Sequence, residues 1–222
     1  MSIHRRKYPK EFKMEMVEAA LSGQSPLVIG KENNLAPNLI SRWKKQYLDG
    51  KFHGNSENDN LEIKKIITSS GKKYEINKLI LGEYQYVDRY YQFNYIPGFL
   101  NGCTHIKTHG NDKLIKESDV CVSFEVNCPV EVFILYADKF PVLPKWLHEY
   151  KRTRFNITRQ DSRPDNLKGY FSLYKKYFPK GHIVLYGCSP EKMVAESWYA
   201  ESMGENYCMY SILVLKYHNQ SV

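Results

Sequence analysis

The sequence predicts a two-domain protein: a small all-α unit of three helices, then an all-β antiparallel sandwich. Three observations carry that expectation. Apolar stripes at helical period, opened by proline and serine start signals, are confined to roughly the first fifty residues. From about Lys73 onward the pattern changes to short apolar or alternating runs separated by glycine and proline. Charge is also uneven, because residues 1–52 hold ten basic and five acidic side chains, which is +5 of the chain's formal +8. The 222 residues, 42% of them apolar, suffice for two cores, and 18 tyrosines favour strands over helices. No run approaches the ~18 apolar residues of a membrane span. The opening Met1–Lys7 is basic, with no apolar stretch behind it, so no secretory signal is expected. Five cysteines form an odd set without a C-x-x-C pair, which predicts reduced thiols and an intracellular protein of cytoplasm or nucleoid, or of the nucleus in a eukaryote.

The first helix opens at Tyr8-Pro9-Lys10, where proline suits the first turn. Phe12, Met16, Ala19 and Ala20 recur at helical spacing, Val17 and Leu21 widen that stripe, and Gly23 stops it. Ser25 is the expected N-cap of a second helix, with Pro26 at its first position and its end near Asn33. Val28 and Ile29 are expected inside. Asn34-Leu35-Ala36 makes a short turn, asparagine being tolerant of the left-handed region. Pro37 starts a third helix that runs to Tyr47.

In the third helix Ile40, Trp43 and Tyr47 lie at i, i+3 and i+7 and share one face, leaving Asn38, Ser41, Arg42 and Lys45 on the others. A recognition helix requires this division, with one stripe anchored on its neighbours and the other free for a major groove ~12 Å wide. Arginine can pair bidentately with guanine, asparagine with adenine, and lysine can hold phosphate. The expected DNA-binding set is therefore Pro37, Asn38, Ser41, Arg42, Lys44 and Lys45, with Arg5, Arg6 and Lys7 as a basic arm. At Arg6-Lys7-Tyr8, Phe12-Lys13, Gly23-Gln24-Ser25 and above all Arg42-Trp43-Lys44-Lys45-Gln46-Tyr47, residues 5–50 resemble the helix-turn-helix of bacterial insertion-sequence transposases. The resemblance implies sequence-specific binding of double-stranded DNA by the third helix. One departure is that Gly30-Lys31-Glu32-Asn33 stands where that family usually closes its second helix on its third with small residues.

The expected boundaries are 1–50 for the helical domain, 51–72 for a linker and 73–218 for the sandwich. Residues 50–60 are polar and Gly/Asn-rich, as connectors are, and Leu61–Ile67 suits two helical turns. The strand-like runs are 85–94, 102–107, 120–126, 130–137, 155–158, 171–178, 182–187 and 208–217, with one short helical piece at Pro144–Tyr150. Blocks such as Tyr86–Phe93, Leu100-Asn101-Gly102, His105–Thr108, Val130–Asp138 and Met209–Val214 are similar to a β-sandwich module appended to polysaccharide lyases, glycosidases and surface proteins. That similarity implies a jelly-roll-like sandwich of the carbohydrate-binding accessory kind.

No catalytic, metal or cofactor site is expected. Cys103, His105 and His109 form C-x-H-x₃-H, one ligand short of a structural zinc site. Trp146 is expected to plug a sandwich edge rather than stack on a sugar, and Asp88-Arg89 and Asp112-Lys113 read as local turn ion pairs. The transposase resemblance would require three metal-holding carboxylates, the last two about 35 residues apart. Asp165 and Glu201, or Asp161 and Glu196, approach that spacing, with Asp119 or Asp138 as weak first members. They stand in a β-rich context that does not alternate strands with helices as that catalytic core does. The resulting reading is a sequence-specific DNA-binding protein, a transposase-derived regulator or accessory factor, whose sandwich binds a glycan or a protein. The alternatives are a lectin-like protein with an N-terminal interaction bundle, and a transposase. No membrane partner is expected, and a single module's marginal grip on DNA favours a homodimer.

Overall fold

A computed structural model describes residues 8, 10–21, 23–48, 61–140, 142–161, 168–190 and 208–217. The chain divides into two compact units, 1–54 and 55–222. The connector expected at 50–60, the arm Arg5-Arg6-Lys7, and Asp165, Glu196 and Glu201 lie outside the described residues.

The first unit contains α1 (Lys10–Leu21), α2 (Pro26–Glu32) and α3 (Pro37–Leu48). Ser25 caps α2, its hydroxyl accepting from the Leu27 amide at 3.3 Å. Met16, Val17 and Ala20 of α1, Ile29 of α2, and Ile40, Trp43 and Tyr47 of α3 are buried together as the core. Tyr8 and Phe12 meet the Trp43 ring edge-on at 5.3 and 6.5 Å. Burying a side chain of this size stabilises the unit by about 1.5–3 kcal/mol, so Trp43 and its neighbours dominate its packing. Val28 does not point inward as expected but is 45% exposed. A seven-residue helix has one buried stripe, here Ile29 and Gly30, and Val28 falls beside it.

Gly30 also corrects the departure noted above, because it is itself the small residue that closes α2 on α3. A Cβ at that position would lie 2.6 Å from the Leu35 carbonyl oxygen. The tight turn that follows uses Asn34 at φ +52.

The second unit contains ten described strands, antiparallel in every pairing between them. They are β1 (Ile63–Thr68), β2 (Glu75–Lys78), β3 (Tyr91–Tyr95), β4 (Thr104–Lys107), β5 (Val120–Val126), β6 (Val130–Ala137), β7 (Lys151–Asp161), β8 (Lys168–Phe178), β9 (Gly181–Tyr186) and β10 (Ser211–Lys216). One sheet has the order β1-β5-β9 and the other β2-β4-β10-β6-β8-β7-β3. Ile106, Ile212 and Ile134 are mutual partners across β4, β10 and β6, and all three are inaccessible to solvent. The Tyr210 hydroxyl donates to the Tyr186 carbonyl at 2.8 Å, tying the segment before β10 to the three-stranded sheet.

Two strands lie outside the expected runs. β1 occupies 63–68, inside the stretch read as linker and as two helical turns. It pairs with β5 in the register Ile63↔Val126, leaving Ile63 and Ile66 half-buried and Ile67 exposed, and the Glu62 amide donates to the Asn127 side chain at 2.9 Å. β2, with charged residues at both ends, has no apolar run to betray it and forms through pairing with β4. The run 85–94 is a strand only from Tyr91, and Pro144–Tyr150 is a 3₁₀ turn, η3, at Lys145–Glu149.

Candidate nucleic-acid interface

The local sequence sets α3's direction and register. Pro37 fixes the first turn without losing a needed N–H, and the Ile40–Trp43–Tyr47 stripe docks on α1 and α2. Asn38, Ser41, Arg42 and Lys45 are consequently all exposed, on the sides of α3 turned from that core. Among the residues read as DNA-binding, these four form the accessible polar face. Ser41 has its hydroxyl directed back to the Pro37 carbonyl at 3.3 Å, which leaves its oxygen lone pairs outward. Pro37 is half-buried and serves as the helix start.

Lys44 differs from the rest. It is half-buried, and its ammonium donates to the Ala20 carbonyl at 3.1 Å, tying α3 to the last turn of α1. A cation at that end also opposes the helix dipole's negative pole. Its spacing on α3 gave no hint of this contact. Lys31 and Lys13 add positive charge nearby in the unit, Lys31 exposed on α2 and Lys13 with its ammonium 6.0 Å from the Trp43 ring centre.

In the sandwich the candidate metal spacing does not assemble. His109 Nδ1 lies 3.1 Å from Asp88, whereas His105 is fully buried on β4, 5.4 Å from the Phe93 ring centre. Burial, reinforced by the Lys107 charge, pushes the His105 imidazole down to about 3. Among the described residues no three His, Cys, Asp or Glu side chains group as metal ligands do. The five cysteines are all free thiols, four of them buried, and burial raises Cys121 to about 11. Trp146 does seal an edge: its indole N–H donates to the Gly187 carbonyl at 2.7 Å, and its ring meets Tyr150 and Tyr210 edge-on.

Asp112 corrects a reading from the sequence. It is buried and pairs not with Lys113 but with Lys72 at 2.7 Å, while Ser70 and the Tyr74 hydroxyl each donate to its other oxygen at 2.8 Å. Partners forty residues away in the chain give no adjacent-charge signal. Arg159 was also missed. It is 4% exposed, stacked 3.7 Å from the Tyr91 ring centre, with Nη2 3.0 Å from the Cys208 sulfur. The alternation Phe155, Ile157, Arg159 on one face was the signal that marked it as buried.

Among the described residues the sandwich has two exposed tyrosine pairs, Tyr177–Tyr217 with ring centres 4.6 Å apart and Tyr84–Tyr90. Tyr90 is 66% and Tyr84 36% exposed, with edge-to-face rings 5.8 Å apart. The Lys107 ammonium lies 5.8 Å from the Tyr84 ring centre and pairs with Glu83 at 2.5 Å.

The transposase family of helix-turn-helix type matches residues 3–65. Among curated proteins there is no match. Among solved structures, a β-glucuronidase of glycoside hydrolase family 2 superposes on 69% of this chain with a TM-score of 0.53 and 19% identity. A GH138 enzyme targeting pectin rhamnogalacturonan II matches over 73% with a TM-score of 0.44 and 14% identity. This chain spans only 14% and 16% of their lengths. The β-glucuronidase likeness establishes a shared sandwich fold. No helix among the described residues is long and apolar enough to cross a membrane. The N-terminal unit is thus a transposase-like, DNA-binding helix-turn-helix, joined in one chain to an all-β domain of the fold found as a module in glycosidases.

Proposed function

We propose that this protein is a sequence-specific binder of double-stranded DNA, a transposase-derived regulator or accessory factor acting inside the cell. It works by phosphate anchoring and base readout from α3, and the sandwich serves as a ligand- or partner-binding module. The observation that carries this reading is the exposed row Asn38, Ser41, Arg42 and Lys45 on a helix whose opposite face is locked by Ile40, Trp43 and Tyr47. Arg42 reads a base, Asn38 and Ser41 lie nearer the helix start where groove contacts concentrate, and Lys45 and the arm Arg5-Arg6-Lys7 hold phosphates. The antiparallel strand order of the second unit favours binding without strand cleavage. Selection from random duplexes with the full chain tests this. Arg42→Ala should then cost about 1–3 kcal/mol at one base position, and Lys45→Ala should weaken all duplexes alike. Equal losses from both changes on selected and random DNA would defeat the assignment.

A second reading, carbohydrate binding by the sandwich, is favoured by the Tyr84–Tyr90 pair. Exposed tyrosine faces suit the C–H face of a pyranose, and the Lys107–Glu83 pair leaves the neighbourhood neutral. A glycan array probed with the full chain tests it.

A further inference from the structure

The sandwich unit's excess positive charge is concentrated in one arm. Residues 55–222 hold 22 basic and 19 acidic side chains. The segment 139–154, which joins β6 to β7 through η3, holds five cations (Lys139, Lys145, Lys151, Arg152 and Arg154) and a single acid, Glu149. All five cations are exposed, and Glu149 is already paired with Lys176 at 2.5 Å.

Among the described residues, the carboxylates around the arm do not cancel it. Glu131 pairs with Lys175 at 2.7 Å, and Glu117 accepts from the Lys145 backbone amide at 2.7 Å. Asp138 reaches Arg152 only through Ser172, whose hydroxyl donates to Asp138 at 2.6 Å while accepting from Arg152 at 3.0 Å. Counting Lys175 and Lys176, seven cations stand against four carboxylates among the described residues of this neighbourhood.

Lys151, Arg152 and Arg154 are all exposed at the start of β7. Lys151 pairs with Lys175 and Arg152 with Tyr174 in regular register, so these two cations leave the strand on opposite faces. The β7–β8 register then shifts between Arg152 and Asn156, where the Thr153 hydroxyl accepts from the Phe155 amide at 3.2 Å, and beyond it Phe155, Ile157 and Arg159 turn inward.

We propose that this arm is a second contact surface for double-stranded DNA, its lysines and arginines holding backbone phosphates without reading bases. The inference builds on the DNA-binding reading of α3. Once the helix-turn-helix is seated, the duplex is held near the sandwich at an effective concentration that makes a few individually weak phosphate contacts count. Charge complementarity also favours a polyanion here, whereas the neutral Tyr84–Tyr90 surface does not attract one.

The test is the salt dependence of duplex binding by the full chain. Lys151→Gln/Arg154→Gln should lower the slope of log Kd against log[salt] by roughly 0.9 per lost phosphate, up to about 2 for the pair, with the selected base preference unchanged. Arg42→Ala should keep most of the slope and lose preference at one position. Lys139→Gln/Lys145→Gln supplies an independent pair should the first variant melt abnormally. An unchanged slope in normally folded variants of both pairs overturns the proposal, as does a loss of affinity only for an acidic polysaccharide. Salt-sensitive duplex binding that lacks base preference and falls with the arm variants would sustain the arm while defeating the α3 reading.

Discussion

Gly30 offers the sharpest test of how the helix-turn-helix is closed. A methyl group there would sit 2.6 Å from the Leu35 carbonyl oxygen and 3.4 Å from Pro37 Cγ. The first distance is one that real Cβ atoms essentially never show, and its partner is backbone, held by the Leu35 amide's own bond to the Gly30 carbonyl at 2.8 Å. The turn must therefore move for Gly30→Ala, and overpacking of this kind costs about 1–3 kcal/mol. A unit of 54 residues has a total stability of only about 3–8 kcal/mol at the usual stability per residue, so the loss is a large share. Helical circular dichroism isolates the effect, because the described α-helices all lie in the first unit while the second is built of strands. Gly30→Ala should lower the melting temperature of the helical signal by roughly 5 °C or more while leaving a sandwich transition in place. Gly23→Ala is the contrast. No atom lies within 4 Å of its Cβ, but its φ is +97, so its penalty comes from the backbone alone, about 1 kcal/mol. The reasoning fails if Gly30→Ala melts like the parent, or if Gly30→Ala and Gly30→Val are equally benign.

Two further outcomes concern the sandwich. His105 is neutral when folded, with its folded value pushed down to about 3 against 6.5 for the free imidazole. The unfolded chain therefore binds one more proton between those values, and stability that is intact above about 6.5 is lost as pH falls, by about 1.4 kcal/mol per pH unit from this residue. Denaturant titrations between pH 4 and 7 should show that slope reduced in His105→Leu; parallel pH profiles for the two proteins would remove buried His105 as the cause. Asp112→Ala strips the acceptor from Lys72, Ser70 and Tyr74. Lys72 is about a third exposed and can turn to water, so the penalty falls on the buried Tyr74 hydroxyl, about 1–3 kcal/mol. A thermal melt of the variant matching the parent's would show that the tyrosine is satisfied elsewhere.

The order of the fold, three helices and then strands, was legible because local signals coincide with it. Ser25-Pro26 and Pro37 start helices in the structure where they do in the sequence, and the runs 120–126 and 130–137 became β5 and β6 at the same residues. Periodicity works there because the buried face repeats within one element. The same logic placed Asn38, Ser41, Arg42 and Lys45 on the exposed sides of α3. It failed for β1, β2, Lys44 and Asp112, whose roles depend on partners far away in the chain: β5, β4, Ala20 and Lys72.

The amino-acid order by itself therefore determined the three N-terminal helices, which face of α3 is apolar, and how the positive charge is distributed along the chain. Only the tertiary structure decided that Lys44 braces α1, that Gly30 lets the turn approach, that Asp112 is a buried hub, and that the β7–β8 register shifts between Arg152 and Asn156. The physical reason is one of range. Propensity, capping and periodicity act over a few residues, whereas burial, close approach and ion pairing exist only once distant segments meet.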